Sequence, residues 1–167
     1  MRTVHGIQRL CFLYFALLTF VLAFVLVACG SNTNTGAGSN ATPTVVKGYG
    51  TSVGCPSDAV VSGTPAKANV VVQASDMNKT IQAHMGDVIE VRLAFGHKWS
   101  GPSVSQGVLE LQQPGGYAWK AENVCVWRFV AKGTGTTELL FHSQALCKPG
   151  EVCPLYIASI PFTIVVK

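Results

Sequence analysis

The chain has 167 residues, of which 12 are Lys or Arg and 8 are Asp or Glu, giving a formal net charge of +4. This length accommodates one domain with additional segments. Charged residues make up only 12% of the chain and hydrophobic residues 49%, a balance typical of membrane-associated or exported proteins. The basic residues are scattered singly and form no run, so we exclude a nucleic-acid partner.

An apolar segment over residues 10–27 carries no charge and follows two arginines. Charged, apolar and small-residue regions in this order are typical of a secretory signal peptide, here residues 1–28. About 18 apolar residues can also span a bilayer, so length alone leaves a retained transmembrane anchor as an alternative. The ending LVAC at residues 26–29 resembles the lipobox of bacterial lipoproteins. This resemblance implies that Cys29 becomes the first residue, that it carries diacylglycerol with palmitate chains, and that the protein is located at the cell membrane or outer envelope surface.

Two segments separate this signal from the main domain. Residues 29–44 contain no charge and no bulky apolar residue, which predicts a flexible tether that begins at the lipidated cysteine. Residues 45–67 are rich in Gly and Pro. They predict an extended segment that is tied to the domain by Cys55, with an edge strand near residues 59–61.

Four cysteines remain once the signal is removed and Cys29 takes the lipid. An even number in an exported chain predicts disulfides, and four cysteines can pair in three ways. Cys147 and Cys153 enclose a Pro-Gly turn signal, which favours a bond between them and a second bond between Cys55 and Cys125. The chain-entropy model gives about 2.4 kcal/mol for the small ring and about 4.4 kcal/mol for the large one. The small bond would shape a loop, and the large bond would tie the N-terminal segment to the domain.

From residue 68 onward the chain consists of short β-type runs separated by turn residues, without useful helical periodicity. The predicted strands are residues 68–73, 79–83, 88–95, 107–111, 123–132, 137–142 and 158–166. In the third run the alternation places Ile89 on the core side and Glu90 and Arg92 on the opposite, solvent side. Arg128 marks the solvent side of the fifth run in the same way, but Val124, Val126 and Val130 share that side, which leaves partial cover of this face open. Strands of this length and spacing predict an all-β, antiparallel sandwich of about seven strands.

The order of these motifs resembles that of chagasin-like proteins over residues 68–167. The resemblance rests on Thr80-Ile81, residues 86–93, Trp99, and residues 108–111, 127–129, 139–141 and 162–166. Chagasin-like proteins are immunoglobulin-like β-sandwiches that inhibit papain-family cysteine proteases by occluding the active-site cleft with three loops. The resemblance therefore implies an immunoglobulin-like fold and a cysteine peptidase as partner.

The resemblance also implies which residues would contact a peptidase. The candidate inhibitory residues, loop by loop, are Gly96, His97, Lys98 and Trp99; Gly115, Gly116 and Tyr117; and Lys148 and Pro149. The family's Asn-Pro-Thr-Thr-Gly and Arg-Pro-Trp stretches are absent. This absence keeps open a second function, a non-catalytic surface binding or adhesion module whose partner is another envelope protein.

The aromatic residues allow two interpretations. Trp99 and Tyr117 are either loop anchors or, as their positions near strand ends favour, part of the core rim. Trp127 directly precedes Arg128 in a predicted strand, so its side chain points to the opposite side and is expected in the core. Trp119 lies beside Lys120 and is expected to be half exposed.

Catalytic and cofactor motifs are missing from the chain. Gly-x-Ser-x-Gly, His-Glu-x-x-His and P-loop patterns do not occur, so we predict a non-enzymatic protein without a cofactor. A blue-copper site uses two His, a Cys and often a Met, and the candidate histidines are His84, His97 and His142. Met77 and Met85 both precede His97, and no Met follows Cys147 or Cys153, so the sequence disfavours a metal site.

Overall fold

The structure is a computed structural model that describes residues 41–102, 107–148 and 150–167. The predicted signal peptide, the lipidated Cys29, most of the predicted tether and Pro149 lie outside the described residues. The described residues belong to one compact unit. None of the helices found in them has the length and apolar character needed to cross a membrane.

The described chain is built almost entirely of strands. The strands are β1 (Thr44–Val45), β2 (Ala59–Val61), β3 (Val70–Gln73), β4 (Thr80–Ala83), β5 (Val88–Ala94), β6 (His97–Ser100), β7 (Leu109–Leu111), β8 (Tyr117–Trp119), β9 (Val124–Ala131), β10 (Gly135–Ala145) and β11 (Ile157–Val166). One short α-helix, α1 (Tyr49–Val53), and one 3-10 turn, Ala74–Asp76, accompany them. All seven predicted strands are present, as β3, β4, β5, β7, β9, β10 and β11. The strand predicted near residues 59–61 is present as β2, but it is not an edge strand, because β1 and β8 pair with it on either side. The strands β1, β6 and β8 were not predicted.

The strands form two sheets that make a sandwich. A seven-stranded sheet has the order β1-β2-β8-β9-β5-β3, with β7 also paired to β9, and a four-stranded sheet has the order β4-β11-β10-β6. The pairs β2–β8, β3–β5 and β4–β11 are parallel, while the other pairs are antiparallel. The predicted all-β sandwich is therefore confirmed, although its sheets are mixed and not purely antiparallel. The parallel pairs arise because β2, β3 and β4 reach the sheets through crossover segments and not through hairpins.

The main core lies between the two sheets and is filled by inward-facing residues of β5, β9, β10 and β11. Trp127 and Phe141 meet edge to face with ring centroids 5.0 Å apart, and Phe141 meets Phe162 at 5.9 Å. The predicted disulfide between Cys55 and Cys125 is confirmed, with Cα atoms 5.4 Å apart. Both cysteines are buried in this core, so the bond fixes the chain after α1 against β9.

The outer face of the seven-stranded sheet is covered, so the prediction that Glu90 and Arg128 face solvent is wrong. Glu90 is only 1% exposed and binds two arginines. Its Oε1 lies 2.6 Å from Nε of Arg92, and its Oε2 lies 2.9 Å from Nη1 of Arg128. Residues 62–67, here called the strap, cross this face, and Arg128 Nη1 donates a second hydrogen bond to the carbonyl of Ala66 at 2.6 Å. The alternation of β5 could not show this cover, because the strap comes from a distant part of the chain.

A second, smaller apolar cluster lies on the same outer face. It contains Ala59, Val61, Tyr117, Trp119 and Val126. Trp119 is 6% exposed, not half exposed as predicted, because its Nε1–H donates to the carbonyl of Gly63 in the strap at 2.8 Å. The guanidinium of Arg92 lies 4.7 Å from the centroid of the Trp119 ring, a cation–π contact. The strap is therefore held to the sheet by hydrogen bonds from Arg128 and Trp119.

The first described residues are also paired with the domain. Thr44 pairs with Val60 on β2, and the N–H of Ala41 donates to the carbonyl of Thr64 at 3.0 Å. Residues 41–44, predicted as the end of the tether, therefore contact the folded unit. The segment predicted as extended, residues 45–67, contains α1, β2 and the strap.

Candidate binding loops

Two of the three predicted loops lie at the same end of the sandwich, here called the loop end. Ala145 is the last residue of β10, and it pairs with His97, the first residue of β6. This register places the β5–β6 turn at residues 95–96 beside the β10–β11 connection at residues 146–156. The two segments are neighbours in space although about fifty residues separate them in the sequence.

The β5–β6 turn is held firmly to the domain. The N–H of Phe95 donates to the carbonyl of Asn123 at 2.9 Å, and the N–H of Gly96 donates to the carbonyl of Val53 in α1 at 3.2 Å. Gly96 has a φ angle of 91°, a left-handed conformation that glycine adopts without steric cost. The turn is therefore a rigid support for the residues that follow it.

The prediction that His97, Lys98 and Trp99 lie in a loop is wrong, because they form β6. Trp99 is buried: its Nε1–H donates to the carbonyl of Ala94 at 2.7 Å, and its main-chain N–H donates to the carbonyl of Gly54 at 2.8 Å. Trp99 is thus part of the core, as its position near a strand end favoured. His97 and Lys98 are exposed and remain available to a partner.

In the second predicted loop, Gly115 is half-buried, whereas Gly116 and Tyr117 are buried. Gly116 is buried with a φ angle of 69°, and a Cβ added there would collide with the ring of Pro56 and with the indole of Trp127. Glycine is required at this position for internal packing and not for close approach by a partner. Tyr117 is buried on β8. Burial therefore leaves Gly116 and Tyr117 little surface for the predicted contact with a peptidase.

The third predicted loop is a disulfide ring in the β10–β11 hairpin. Cys147 and Cys153 are bonded as predicted, with Cα atoms 5.7 Å apart. Inside the ring, the N–H of Lys148 donates to Oε2 of Glu151 at 3.2 Å, and the N–H of Glu151 donates to the carbonyl of Lys148 at 3.1 Å. The Lys148 side chain is exposed. Because the bond and the two hydrogen bonds restrict the ring, little conformational entropy is left to lose on binding.

Four large apolar side chains in and after the ring are exposed. Val152 is 100% exposed and Leu155 is 99% exposed, and Tyr156 and Ile157 are exposed as well. We call these four residues the apolar tip. Such side chains contact water unfavourably until a partner covers them, so several of them close together in sequence favour an interaction site. Sequence analysis missed the apolar tip, although the run Leu-Tyr-Ile directly after a proline, inside a hairpin connection, was a usable signal.

The histidines of the copper alternative are not brought together. His84 follows β4, at the end of the sandwich opposite to His97. His142 lies on β10, where the neighbour of its Nδ1 is Oγ of Ser159 on β11, 3.4 Å away. Over residues 41–102, 107–148 and 150–167, no group of three or more His, Cys, Asp or Glu side chains is arranged to hold a metal ion.

Comparisons with known proteins give low similarity. No protein-family model and no curated protein matches the chain. One similar solved structure is a cysteine protease inhibitor from Entamoeba histolytica that is 17% identical to this chain. The match covers 59% of this chain and 94% of the inhibitor chain, with a TM-score of 0.45. A second similar structure is that of amebosin, which is 16% identical to this chain. The match covers 60% of this chain and 100% of the amebosin chain, with a TM-score of 0.36. At these identities and TM-scores, neither likeness assigns a partner to this chain.

Proposed function

We propose that this protein is a non-catalytic inhibitor that inserts the Cys147–Cys153 ring and the apolar tip into the active-site cleft of a papain-family cysteine peptidase. The observation that carries the proposal is the apolar tip itself, displayed on a disulfide-braced hairpin at one end of the sandwich. The order of strand motifs that resembles chagasin-like proteins supports the choice of target class.

The geometry provides both affinity and rigidity. Burying a fully exposed Val152 or Leu155 side chain contributes about 1.5–3 kcal/mol each, which is a substantial part of the about 8.2 kcal/mol that micromolar binding requires. His97 and Lys98 on β6 lie next to the hairpin through the pairing of His97 with Ala145, and they provide a polar rim for the same interface. Binding would thus combine an apolar centre with a polar edge, without any chemical step.

The test is a titration of papain with the protein comprising residues 39–167, followed by cleavage of a fluorogenic peptide. Papain is activated with a thiol and then desalted, so that the Cys147–Cys153 bond stays oxidised during the assay. We expect inhibition at micromolar concentrations or below. Leu155→Asp should weaken inhibition by at least about tenfold, since it replaces an anchor by a charge.

A matched control is available at the opposite end of the sandwich. Met85 is 63% exposed, and its N–H donates to the carbonyl of Lys167 at 3.1 Å, far along the strands from the apolar tip. Met85→Asp introduces the same charge on an exposed apolar residue and should leave inhibition unchanged. Absence of inhibition by the wild-type protein at micromolar concentration would contradict the proposal.

The burial of Gly116 and Tyr117 favours a second candidate function. Because two of the three residues predicted in the second loop are buried, the contact surface is centred on the apolar tip, which suits an envelope protein that has no peptidase cleft as well. In that case capture of a protein from envelope extract would be lost with Leu155→Asp and kept with Met85→Asp, while papain would not be inhibited.

We also propose that the protein acts at a membrane surface, anchored through Cys29. The support is the sequence LVAC at residues 26–29, after an uncharged apolar segment. The proposal predicts incorporation of a labelled palmitate analogue by the wild-type chain and no incorporation by Cys29→Ala. Equal labelling of both chains would overturn it.

A further inference from the structure

A cleft of about 460 Å³ opens on the outer face of the seven-stranded sheet. Its walls are residues 41–43, residues 65–67 at the end of the strap, and the bend at residues 112–114. Tyr117 and Arg128, which are mostly buried, line its base. A volume of this size lies within the range of small-molecule sites, about 300–1,000 Å³. We call it the outer cleft; none of its lining residues belongs to the apolar tip.

Arg128, at the base of the outer cleft, belongs to a cluster with an excess of positive charge whose second arginine, Arg92, does not line the cleft. The single carboxylate of Glu90 binds two guanidinium groups, those of Arg92 and Arg128, so this cluster has a net charge of +1. The Arg128 side chain is only 12% exposed. A poorly hydrated charge is unfavourable unless an opposite charge meets it, and the apolar surroundings strengthen attraction for such a partner. The outer cleft therefore favours an anion.

The hydrogen-bond donors at the base suit a carboxylate. Nη1 of Arg128 donates to Ala66 and Glu90, and the guanidinium also interacts with the Tyr117 hydroxyl, but it carries five N–H donors in a planar fork that matches a carboxylate. Burial, and then the charge of Glu90, raise the pKa of the Tyr117 hydroxyl above its ordinary value of 10.0, so this group stays protonated and can donate. Two further amide side chains, those of Gln112 and Gln113, are exposed at the rim.

The walls of the outer cleft are apolar where they approach the base. Val61, Pro65 and Pro114 line it, and both Val61 and Pro65 are buried. A ligand with a carboxylate at one end and an apolar body would contact both parts. A larger cleft of about 580 Å³ nearby contains Gln82, His84 and Asp87 in its lining but no buried cation, so it lacks this combination.

We propose that the outer cleft binds a small organic carboxylate with an apolar body, with the carboxylate held by Arg128 and Tyr117. This site is independent of the apolar tip and of the proposed peptidase inhibition. It gives the strap a second role, because the strap forms one wall of the site while bonded to the sheet through Arg128 and Trp119.

The test uses the full-length, ¹⁵N-labelled chain in detergent micelles, titrated with N-acetyl-phenylalanine as the probe. The chain has three tryptophans, so three indole N–H signals report on it. The Trp119 indole donates to Gly63 in the strap, whereas the Trp99 indole donates to Ala94. We expect a saturable shift of the Trp119 signal, with a dissociation constant of about 1 mM or below, and no shift of the Trp99 signal. N-acetyl-phenylalaninamide has the same body without the charge and should produce no saturable shift.

Two variants test the residues at the base. Arg128→Lys keeps the charge beside Glu90 but loses the planar fork, and it should weaken binding by about tenfold or more. Tyr117→Phe removes one donor while keeping the ring in the apolar cluster, so it should fold and still weaken binding severalfold. His84→Ala, in the neighbouring larger cleft, should leave the dissociation constant unchanged.

The proposal is overturned if the acid and the amide shift the Trp119 signal equally, or if the acid gives no saturable shift. It is also overturned if Tyr117→Phe, with its other signals in place, binds the acid as the wild-type protein does. This last result decides the matter even if Arg128→Lys does not fold.

Discussion

Replacing Glu90 by Gln should destabilise the protein far more than replacement of any surface glutamate. Glu90 is 1% exposed, and its carboxylate oxygens pair with the guanidinium groups of Arg92 and Arg128 at 2.6 and 2.9 Å. The amide keeps the shape of the side chain but leaves two positive charges together in a poorly hydrated place. Removing one partner of a buried ion pair costs about 3–5 kcal/mol, a large part of a typical stability of about 5–15 kcal/mol.

The matched control is Glu110→Gln. Glu110 lies 3.0 Å from Nζ of Lys132, but both side chains are more than half exposed. Exposed pairs contribute between zero and about 1 kcal/mol. The assay is equilibrium unfolding in urea, which unlike guanidinium chloride does not screen charges. A loss for Glu90→Gln no greater than that for Glu110→Gln would refute the idea that this cluster holds the strap in place.

Two further predictions concern pH and the disulfides. Backbone hydrogen bonds near the start of α1 lower the pKa of Asp58 below its ordinary value of 3.8. The Asp58 carboxylate therefore stabilises the fold above pH 3.8, and this stabilisation is lost as the pH falls through the lower pKa of the folded state. Urea unfolding of wild type should therefore lose more stability than Asp58→Asn as the pH is lowered below about 4, and parallel losses would contradict this. Replacing Cys55 and Cys125 by Ala should cost about 4.4 kcal/mol or more, because the bond is buried and closes a long loop. Replacing Cys147 and Cys153 by Ala should cost at most about 2.4 kcal/mol yet weaken papain inhibition, and the reverse order of stabilities would be inconsistent with the fold.

The strands of the sandwich could be predicted because alternation along one strand is a local property. Ile89 and Trp127 face the core as their positions in β5 and β9 indicate. The strands β6 and β8 were not predicted. Each has only three or four residues, and each directly follows a glycine at positive φ, which indicates a turn in the sequence. Such short strands are set by their neighbours, here β10 and β9, and not by their own composition.

The sites of the molecule were harder to predict for the same reason. The exposure of Glu90 depends on the strap, and the role of Gly116 depends on Pro56, and both partners are distant in sequence. The disulfides were predictable from cysteine count and spacing, since these restrict the pairings to three. The exposure of Leu155 required the structure, because an apolar residue in a hairpin connection is ordinarily folded back onto the core.

Hydrogen exchange of the complex with papain tests the central claim most directly. In the proposed complex, the peptidase contacts the loop end and no other surface of the protein. We predict slowed exchange on binding at residues 146–157 and 95–98, and unchanged exchange at residues 84–87 at the opposite end. Protection centred on the opposite end or on the outer face, or no protection at micromolar papain, would contradict the account.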